Sequence, residues 1–376
     1  MKRLFLIVLV AAMLLLAGCV DGTGTEDDGT TIDADDNLED IDSNGVEDDT
    51  AADEDEATQE ETDDTGADEP DSGDGPDVDG ELEIHHIDVG QADATLLIEP
   101  SGETMLIDSG DWRQGGSDVI EYLEDRNIDR IDHLIATHAH ADHIGGHDAI
   151  IEHYETDRDG LGAAYDSGVA ATSQTYERYL DAIEDHDVEL LVIEDADHIE
   201  FGDANVDVLN PPAGDSGSDL HYNSVALSIE FGEFSYLTTG DAEADAEQRM
   251  VDEHGEQLEA DAYQAGHHGS TMSSTTPFMN EVTPDVAIIS SAYDSQYGHP
   301  HDEVLEDFAD RDIETYWTAV HGDVVLTIDG NDIELETEHD FSTDAANLLK
   351  EKPADDDDTQ ASLTHPVDVP TAPLAG

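Results

Sequence analysis

Basic residues are scarce in this 376-residue sequence: Lys and Arg together number 11, against 97 Asp and Glu, and the formal net charge is -86. At ordinary ionic strength such a charge makes a compact chain repel itself. In roughly 1 M salt the Debye length falls to about 3 Å and this repulsion is largely screened. The acidic excess continues through the middle of the chain, as at residues 121–125, 181–185 and 302–307, so an acidic tail does not account for it. The composition therefore predicts a halophilic surface.

The shortage of Lys and Arg also bears on the partners of the protein. Binding to nucleic-acid phosphates is driven by basic side chains, and no basic patch is visible along the chain. The composition therefore argues against a nucleic-acid partner, and molar salt weakens this argument without removing it. Nothing in the sequence indicates a protein partner.

Cysteine is almost absent, since Cys19 is the only one. A lone cysteine excludes an intramolecular disulfide and a thiolate metal site elsewhere. The segment before it, Met1-Lys2-Arg3 and the apolar run Leu4 to Ala17, is typical of a signal peptide, and residues 16–19 resemble a lipobox, whose cysteine becomes the lipidated first residue. An uncleaved membrane anchor is the alternative, because residues 4–20 are at the short limit for crossing a bilayer. Either interpretation predicts an extracytoplasmic body, anchored to the cell membrane or secreted.

Aromatic and branched apolar residues are nearly missing from residues 20–80, which predicts a disordered, acidic tether after the signal peptide at 1–19. The acidic and Pro-rich residues 341–376 are predicted to be a disordered tail. The globular body is therefore placed at residues 81–340. Within it, short apolar runs alternate with amphipathic stretches, as in an α/β protein. This succession occurs twice, which favours two similar halves packed as a four-layer αββα sandwich.

A dense cluster of metal-ligand residue types lies near the middle of the chain. The run His138-Ala-His140-Ala-Asp142-His143 follows a predicted buried strand at 133–136 and precedes Gly145-Gly146. Imidazole and carboxylate groups suit zinc, manganese and iron, and a tight turn directs several of them to one point. A chance cluster is the alternative, because the chain is rich in Asp and has 19 His. The spacing after an apolar strand favours a metal site.

The run Thr137 to Gly146 resembles the signature of the metallo-β-lactamase superfamily, with its αββα fold. Further segments resemble the ComEC-like branch, which includes the extracellular hydrolase domain of the competence DNA-uptake channel. They are Asp88 to Ala94, Leu106 to Gly110, Asn223-Ser224, Thr239 to Asp241, Gly266 to Ser270 and Tyr297 to His301. The resemblance covers nearly all of residues 81–330. It implies a free-standing relative, because the many membrane spans of the channel are missing.

The resemblance also implies two divalent metal ions, zinc or manganese. Its first metal would bind His138 and His140, its second Asp142 and His143, and Asp241 would bridge the two.

One residue of the pair His267-His268 would complete the second site. We assign His268 as the ligand and His267 as a proton donor or oxyanion contact, while the reverse assignment stays open. His221, twenty residues before Asp241, is a candidate third histidine of the first site. A surface histidine is the alternative there.

The Gly-His-Pro-His turn at 298–301 supplies two more candidates. His299 and His301 could donate hydrogen bonds to a leaving group or a phosphate. The alternative is the N-terminal turn of a helix, with Asp302 as its cap. Three acidic residues, Asp88, Asp93 and Asp108, are expected to orient ligand histidines rather than to bind metal.

Two metals about 3.5–4 Å apart would polarise a phosphoryl or carbonyl oxygen and make hydroxide available near neutral pH. Asp142 and Asp241 would then orient this nucleophile. The leading hypothesis is an extracytoplasmic phosphodiesterase with nuclease-like chemistry. Hydrolysis of an ester, lactone or lactam is the second hypothesis. A binding lipoprotein without turnover is the third, and the intact ligand positions argue against it.

Overall fold

The structure is a computed structural model that describes residues 78–330 and 332–353. The predicted signal peptide, the lipobox, nearly all of the tether and residues 354–376 lie outside the described residues. Within the described part, no helix has the length and apolar character needed to cross a bilayer.

Strands and helices alternate along the described chain. The strands are β1 (Leu82–His86), β2 (Thr95–Ile98), β3 (Thr104–Ile107), β4 (Ile131–Ile135), β5 (Leu161–Asp166), β6 (Leu190–Val192), β7 (His198–Phe201), β8 (Ala204–Asn210), β9 (Ala226–Phe231), β10 (Phe234–Thr238), β11 (Ala262–Gln264), β12 (Val286–Ile289), β13 (Glu314–Trp317), β14 (Val324–Ile328) and β15 (Ile333–Thr337). The helices are α1 (Ser117–Asp125), α2 (His147–Asp157), α3 (Gln174–Asp185), α4 (Ala244–His254), α5 (Thr276–Val282), α6 (Asp302–Asp310), α7 (Thr318–His321) and α8 (Ala345–Glu351).

The strands form two mixed sheets. One has the order β15-β14-β1-β2-β3-β4-β5-β6, and the other has the order β13-β12-β11-β10-β9-β8-β7. Successive side chains of a strand point to opposite faces, so neighbours in sequence enter different cores. Leu97 packs between the two sheets, whereas Leu96 packs under α1, α2 and α3. Helices α4, α5 and α6 cover the outer face of the other sheet. The predicted four-layer αββα sandwich is confirmed.

The body extends further than the sequence predicts. Helix α8 begins after Asp344, whose side chain accepts a hydrogen bond from Ala346 N, and Leu348 is fully buried in the core beneath the second sheet. The predicted boundary at residue 340 is therefore wrong. The acidic composition of residues 341–376 predicted a disordered tail, but burial of Ala345 and Leu348 stabilises a helix at its start.

The loops that carry the candidate ligands lie together at one edge of the sandwich. The run 138–143 follows β4, Asp241 follows β10, the pair His267-His268 follows β11, and the loop with His299 follows β12. Strands β10, β11 and β12 run parallel to one another, so their carboxyl ends meet at this edge.

Candidate metal centre

The loop after β4 is fixed by backbone contacts before any ligand is considered. Thr137 donates two hydrogen bonds to the carboxylate of Asp108, from its backbone N at 2.9 Å and from Oγ1 at 2.7 Å. Ser109 N donates to His143 O at 2.7 Å. Gly145 packs so closely that an added Cβ would lie 2.1 Å from Trp112 N. A side chain is therefore excluded at this glycine, and the loop is held against the segment that follows β3.

A first cluster of donor atoms contains three histidines and one carboxylate. Ligand atoms of His138, His140, His221 and Asp241 all lie within 4.8 Å of one another. The His138 Nε2 atom is 2.8 Å from His140 Nδ1 and 3.6 Å from Asp241 Oδ2. The structure therefore brings His221 to the position where the sequence placed a candidate third histidine.

A second cluster lies on the other side of Asp241. His143 Nε2 is 3.1 Å from Asp241 Oδ1, and His268 Nε2 is 3.5 Å from Asp142 Oδ2 and 3.8 Å from Asp241 Oδ1. Asp93 also belongs to this group. Since Oδ2 of Asp241 faces the first cluster and Oδ1 the second, this carboxylate has the geometry of a bridge.

The donor atoms of the second cluster are of the types that bind a metal cation. His143 Nε2, His268 Nε2 and Asp241 Oδ1 are buried, and although the two nitrogens lie 3.1 and 3.8 Å from this oxygen, none of the three atoms forms a well-aligned hydrogen bond among the described residues. A buried polar atom without a partner costs about 1–3 kcal/mol. A divalent ion between these three atoms would satisfy them together.

Carboxylates behind the ligand rings orient them towards this point. His143 Nδ1 donates to Asp108 Oδ2 at 2.7 Å. His268 Nδ1 is 3.1 Å from Ser290 O and 3.4 Å from Asp93 Oδ1. A proton held on Nδ1 leaves the Nε2 lone pair for metal. Asp88 was expected to orient a ligand histidine. Its carboxylate instead accepts a hydrogen bond from Gly90 N at 3.1 Å and so shapes the turn before Gln91.

Electrostatic coupling is strong in this cluster. Burial alone would lower the pKa of His143, but the carboxylates of Asp241 and Asp108 raise it well above its usual range. Burial likewise opposes ionisation of Asp241, whereas His143 and His268 hold the pKa of Asp241 well below its usual range. The carboxylates thus favour positive charge in this cluster. A metal ion and protons would compete for the same ligand atoms.

The pair His267-His268 lies in the short 3₁₀ turn Gly266–Gly269, where both residues have left-handed backbone, with φ of 53° and 57°. Each such residue costs on the order of 1–3 kcal/mol and is typical of functional sites. The turn sends the two rings apart: His268 is buried in the second cluster, while His267 is half-buried with Nε2 3.6 Å from Asp241 Oδ2. His268 thus lies in the second cluster, while His267 lies on the side of Asp241 that faces the first.

Glu243 is a residue that the sequence analysis missed. Its Oε1 atom lies 2.9 Å from His221 Nδ1 and 3.6 Å from His267 Nδ1. One carboxylate therefore lies beside the Nδ1 atoms of two rings that line the same cavity. Its position two residues after Asp241 was the available signal, but 97 acidic residues obscured it.

The two histidines of the 298–301 turn have different surroundings. His299 lines the cavity above the clusters, and its Nδ1 is 3.3 Å from Gln91 Nε2. His301 lies behind it, where its Nδ1 accepts a hydrogen bond from Thr271 N at 2.9 Å. His301 is also the residue immediately before α6 and Asp302 is the first residue of that helix, so the predicted cap at Asp302 is wrong.

The cavity above the two clusters has a volume of about 430 Å³. Candidate catalytic residues and candidate metal ligands both line this cavity. The lining residues are Gln91, His140, Ala141, Asp142, His221, Asp241, His267, His268, Ser270, Tyr297 and His299.

The chain is similar in sequence to curated bacterial proteins. ComE operon protein 3 of Bacillus subtilis is 30% identical over 247 residues, which are 61% of this chain and 31% of that protein. Recombination protein 2 of Haemophilus influenzae is 29% identical over 264 residues, 68% of this chain and 30% of that protein. The chain thus spans about a third of the length of these curated relatives.

The metallo-beta-lactamase fold protein YhfI of Bacillus subtilis, a solved structure, aligns with a TM-score of 0.45 and 11% identity over 66% of this chain and 100% of that one. The model of the metallo-beta-lactamase superfamily matches residues 87–292. Because this match spans more than half of the sequence, the chain belongs to the metallo-beta-lactamase superfamily.

Proposed function

We propose that this protein is a two-metal hydrolase of phosphodiester bonds. Members of its superfamily are generally metal-dependent hydrolases. The observation that carries the proposal is Asp241, whose two carboxylate oxygens face two separate donor clusters at the floor of one cavity. The curated relatives are named for competence and recombination, which supports a substrate of the nucleic-acid class.

Zinc or manganese fits the donor set, because imidazole nitrogens and carboxylate oxygens dominate both clusters. When bound, a pair of such ions supplies Lewis acidity to a phosphoryl oxygen and lowers the pKa of water towards neutrality. In the first cluster the ligands would be His138, His140 and His221. In the second they would be Asp142, His143 and His268, and Asp241 would serve both.

The remaining side chains of the cavity would handle protons and substrate oxygens. Asp142 is half-buried in the cavity wall and would orient the attacking water. Burial is the main cause that lowers the pKa of His299 to about 3, and the positive charge of His268 adds to it. The His299 ring is therefore neutral at pH 7 and can donate one hydrogen bond to a phosphate oxygen. His267, with Glu243 near its Nδ1, would pass a proton to the leaving oxygen. His301 supports the turn that carries His299.

A substrate panel tests this function. Full-length protein in molar salt with Mn or Zn is expected to cleave bis-p-nitrophenyl phosphate, and His140→Ala is expected to abolish that activity. His198→Ala is the matched control, because His198 is exposed on β7. Turnover of esters or lactones alone would show the second candidate chemistry instead. Bound metal without any turnover would identify a binding protein.

Glu243→Gln should lower kcat by about 10- to 100-fold, the usual cost of losing a carboxylate behind a metal-bound histidine. Glutamine has a similar shape but removes the negative charge that lies 2.9 Å from His221 Nδ1 and 3.6 Å from His267 Nδ1. The bound-metal content and the pH profile of kcat should change with it. Asp245→Asn is the control, since it makes the same charge change at an exposed position two residues on. Unchanged metal content and rate in Glu243→Gln would exclude the role.

The extracytoplasmic location, the lipid on Cys19 and the adaptation to high salt are also part of the proposal. They rest on the charge and the N-terminal residues of the sequence. Mass spectrometry of the native N-terminal peptide tests the lipid, and a free thiol at Cys19 in the mature protein would contradict it.

A further inference from the structure

A second, smaller cavity opens beside the one above the metal clusters. It has a volume of about 140 Å³ and is lined by Gln91, Asp111, Arg113, Gln114, Asp142, Gln296 and Tyr297. Gln91, Asp142 and Tyr297 also line the larger cavity. A ligand that is bound at the metal clusters could therefore extend into this side cavity past Asp142.

Arg113 is unusual in this chain because of where it lies. Of 11 Lys and Arg, Lys2 and Arg3 are outside the described residues, which leaves nine. Arg113 alone among these nine lines either of the two cavities. Its side chain is 63% exposed and its Nη1 donates to Asp111 Oδ2 at 2.9 Å. A guanidinium carries five N–H donors, so this one bond leaves others to face a ligand.

Exposed aromatic rings flank the same cavity. Tyr297 is 58% exposed and forms part of the wall shared by the two cavities. Trp112 is 51% exposed, and the Arg113 guanidinium lies 5.1 Å from the centre of its ring. Exposed rings beside a cavity are available to stack on a flat ligand. Nucleobases stack on such rings with little dependence on sequence.

The position of Arg113 is fixed relative to the candidate metal centre. Trp112 N donates to Ala141 O at 3.0 Å, within the ligand loop between His140 and Asp142. Arg113 N donates to Asp111 Oδ1 at 2.7 Å. These bonds hold the backbone at Trp112 and Arg113 against the ligand loop, and the Arg113 and Asp142 side chains line the same cavity.

We propose that the side cavity is a substrate subsite that binds the nucleotide next to the scissile phosphodiester. Arg113 and the neighbouring amide side chains would hydrogen-bond its phosphate, and Tyr297 would stack on its base. The inference rests on the proposed function and narrows it to oligonucleotides rather than small diesters. Asp111 offsets the charge of Arg113, and molar salt screens long-range attraction. Short-range hydrogen bonding and stacking therefore provide the recognition.

Fluorescence anisotropy with a labelled, cleavage-resistant phosphorothioate oligothymidylate tests the subsite on the full-length, metal-loaded protein. Arg113→Ala should raise Kd about tenfold, as expected for the loss of charge-assisted hydrogen bonds. Tyr297→Ala should raise it by a similar factor through lost stacking. Arg130→Ala is the matched control, because Arg130 is also exposed and paired to an aspartate, Asp132, but lines neither cavity. Thermal melting of each variant checks folding.

Kinetics separates this inference from the function on which it rests. Arg113→Ala should raise KM for an oligonucleotide and leave KM for bis-p-nitrophenyl phosphate unchanged. An oligonucleotide Kd that is the same in Arg113→Ala and wild type, or no binding by wild type, would overturn the subsite while cleavage of the small diester still supported the function. Arg113-dependent binding without cleavage of any phosphodiester would support oligonucleotide binding in the side cavity but refute both the function and the substrate role of that cavity.

Discussion

Asp241→Ala is expected to abolish phosphodiester hydrolysis, with a larger loss than the roughly 10- to 100-fold that follows removal of a group behind a ligand. Among the described residues, Asp241 is the side chain that belongs to both donor clusters. Its removal would delete the one carboxylate that the two metal sites share and leave His143 Nε2 without its nearest acidic neighbour. Initial rates with bis-p-nitrophenyl phosphate at saturating metal give the size of the effect.

Two further variants make the Asp241 result interpretable. Asp241→Asn keeps the volume of the side chain and should lose nearly as much activity, since an amide is a poor bridging ligand. Asp245→Ala removes a carboxylate from an exposed position four residues later and should keep the wild-type rate. Activity of Asp241→Ala within a few fold of wild type would show that the two clusters are not a joint catalytic centre.

Chelation of metal is expected to lower Tm by roughly 10 °C. Without a cation, three buried atoms at the centre form no well-aligned hydrogen bond among the described residues, and the carboxylates of Asp93, Asp108 and Asp241 are buried close together. Ligand present at about 1,000 times its Kd stabilises a folded protein by about 4 kcal/mol. For domains of 150–250 residues, each kcal/mol shifts Tm by about 2–4 °C.

Scanning calorimetry in molar salt, with and without a chelator, measures this difference. The chelator should have much less effect on Asp241→Ala, because that variant lacks the carboxylate on which both ions depend. Equal Tm values for wild type with and without chelator would show that the clusters do not bind metal tightly.

The ligand loop could be predicted from sequence because histidine and aspartate alternate over six residues directly after a strand. Asp241 and the pair His267-His268 were found only through resemblance, since nothing local links them to the loop. The structure supplies the link by bringing the ends of β4, β10 and β11 to one edge of the sandwich.

Glu243 and Arg113 could not be predicted for a different reason. Their importance lies in which rings and cavities they contact. The one local signal, the position of Glu243 two residues after Asp241, does not stand out among 97 acidic residues. Helix α8 was missed because it is only seven residues long and the acidic run 355–358 follows it, although Ala345 and Leu348 are buried. The alternation of strands and helices was strong enough to predict the αββα fold, while the end of the body depended on these tertiary contacts.

Elemental analysis of purified full-length protein is the most direct measurement of the central claim, which is that Asp241 joins two metal sites. The wild-type chain is predicted to contain two divalent ions, and His140→Ala, which weakens only the first cluster, is predicted to contain about one. Wild-type protein that holds one ion or none after saturation with Zn or Mn would contradict the claim.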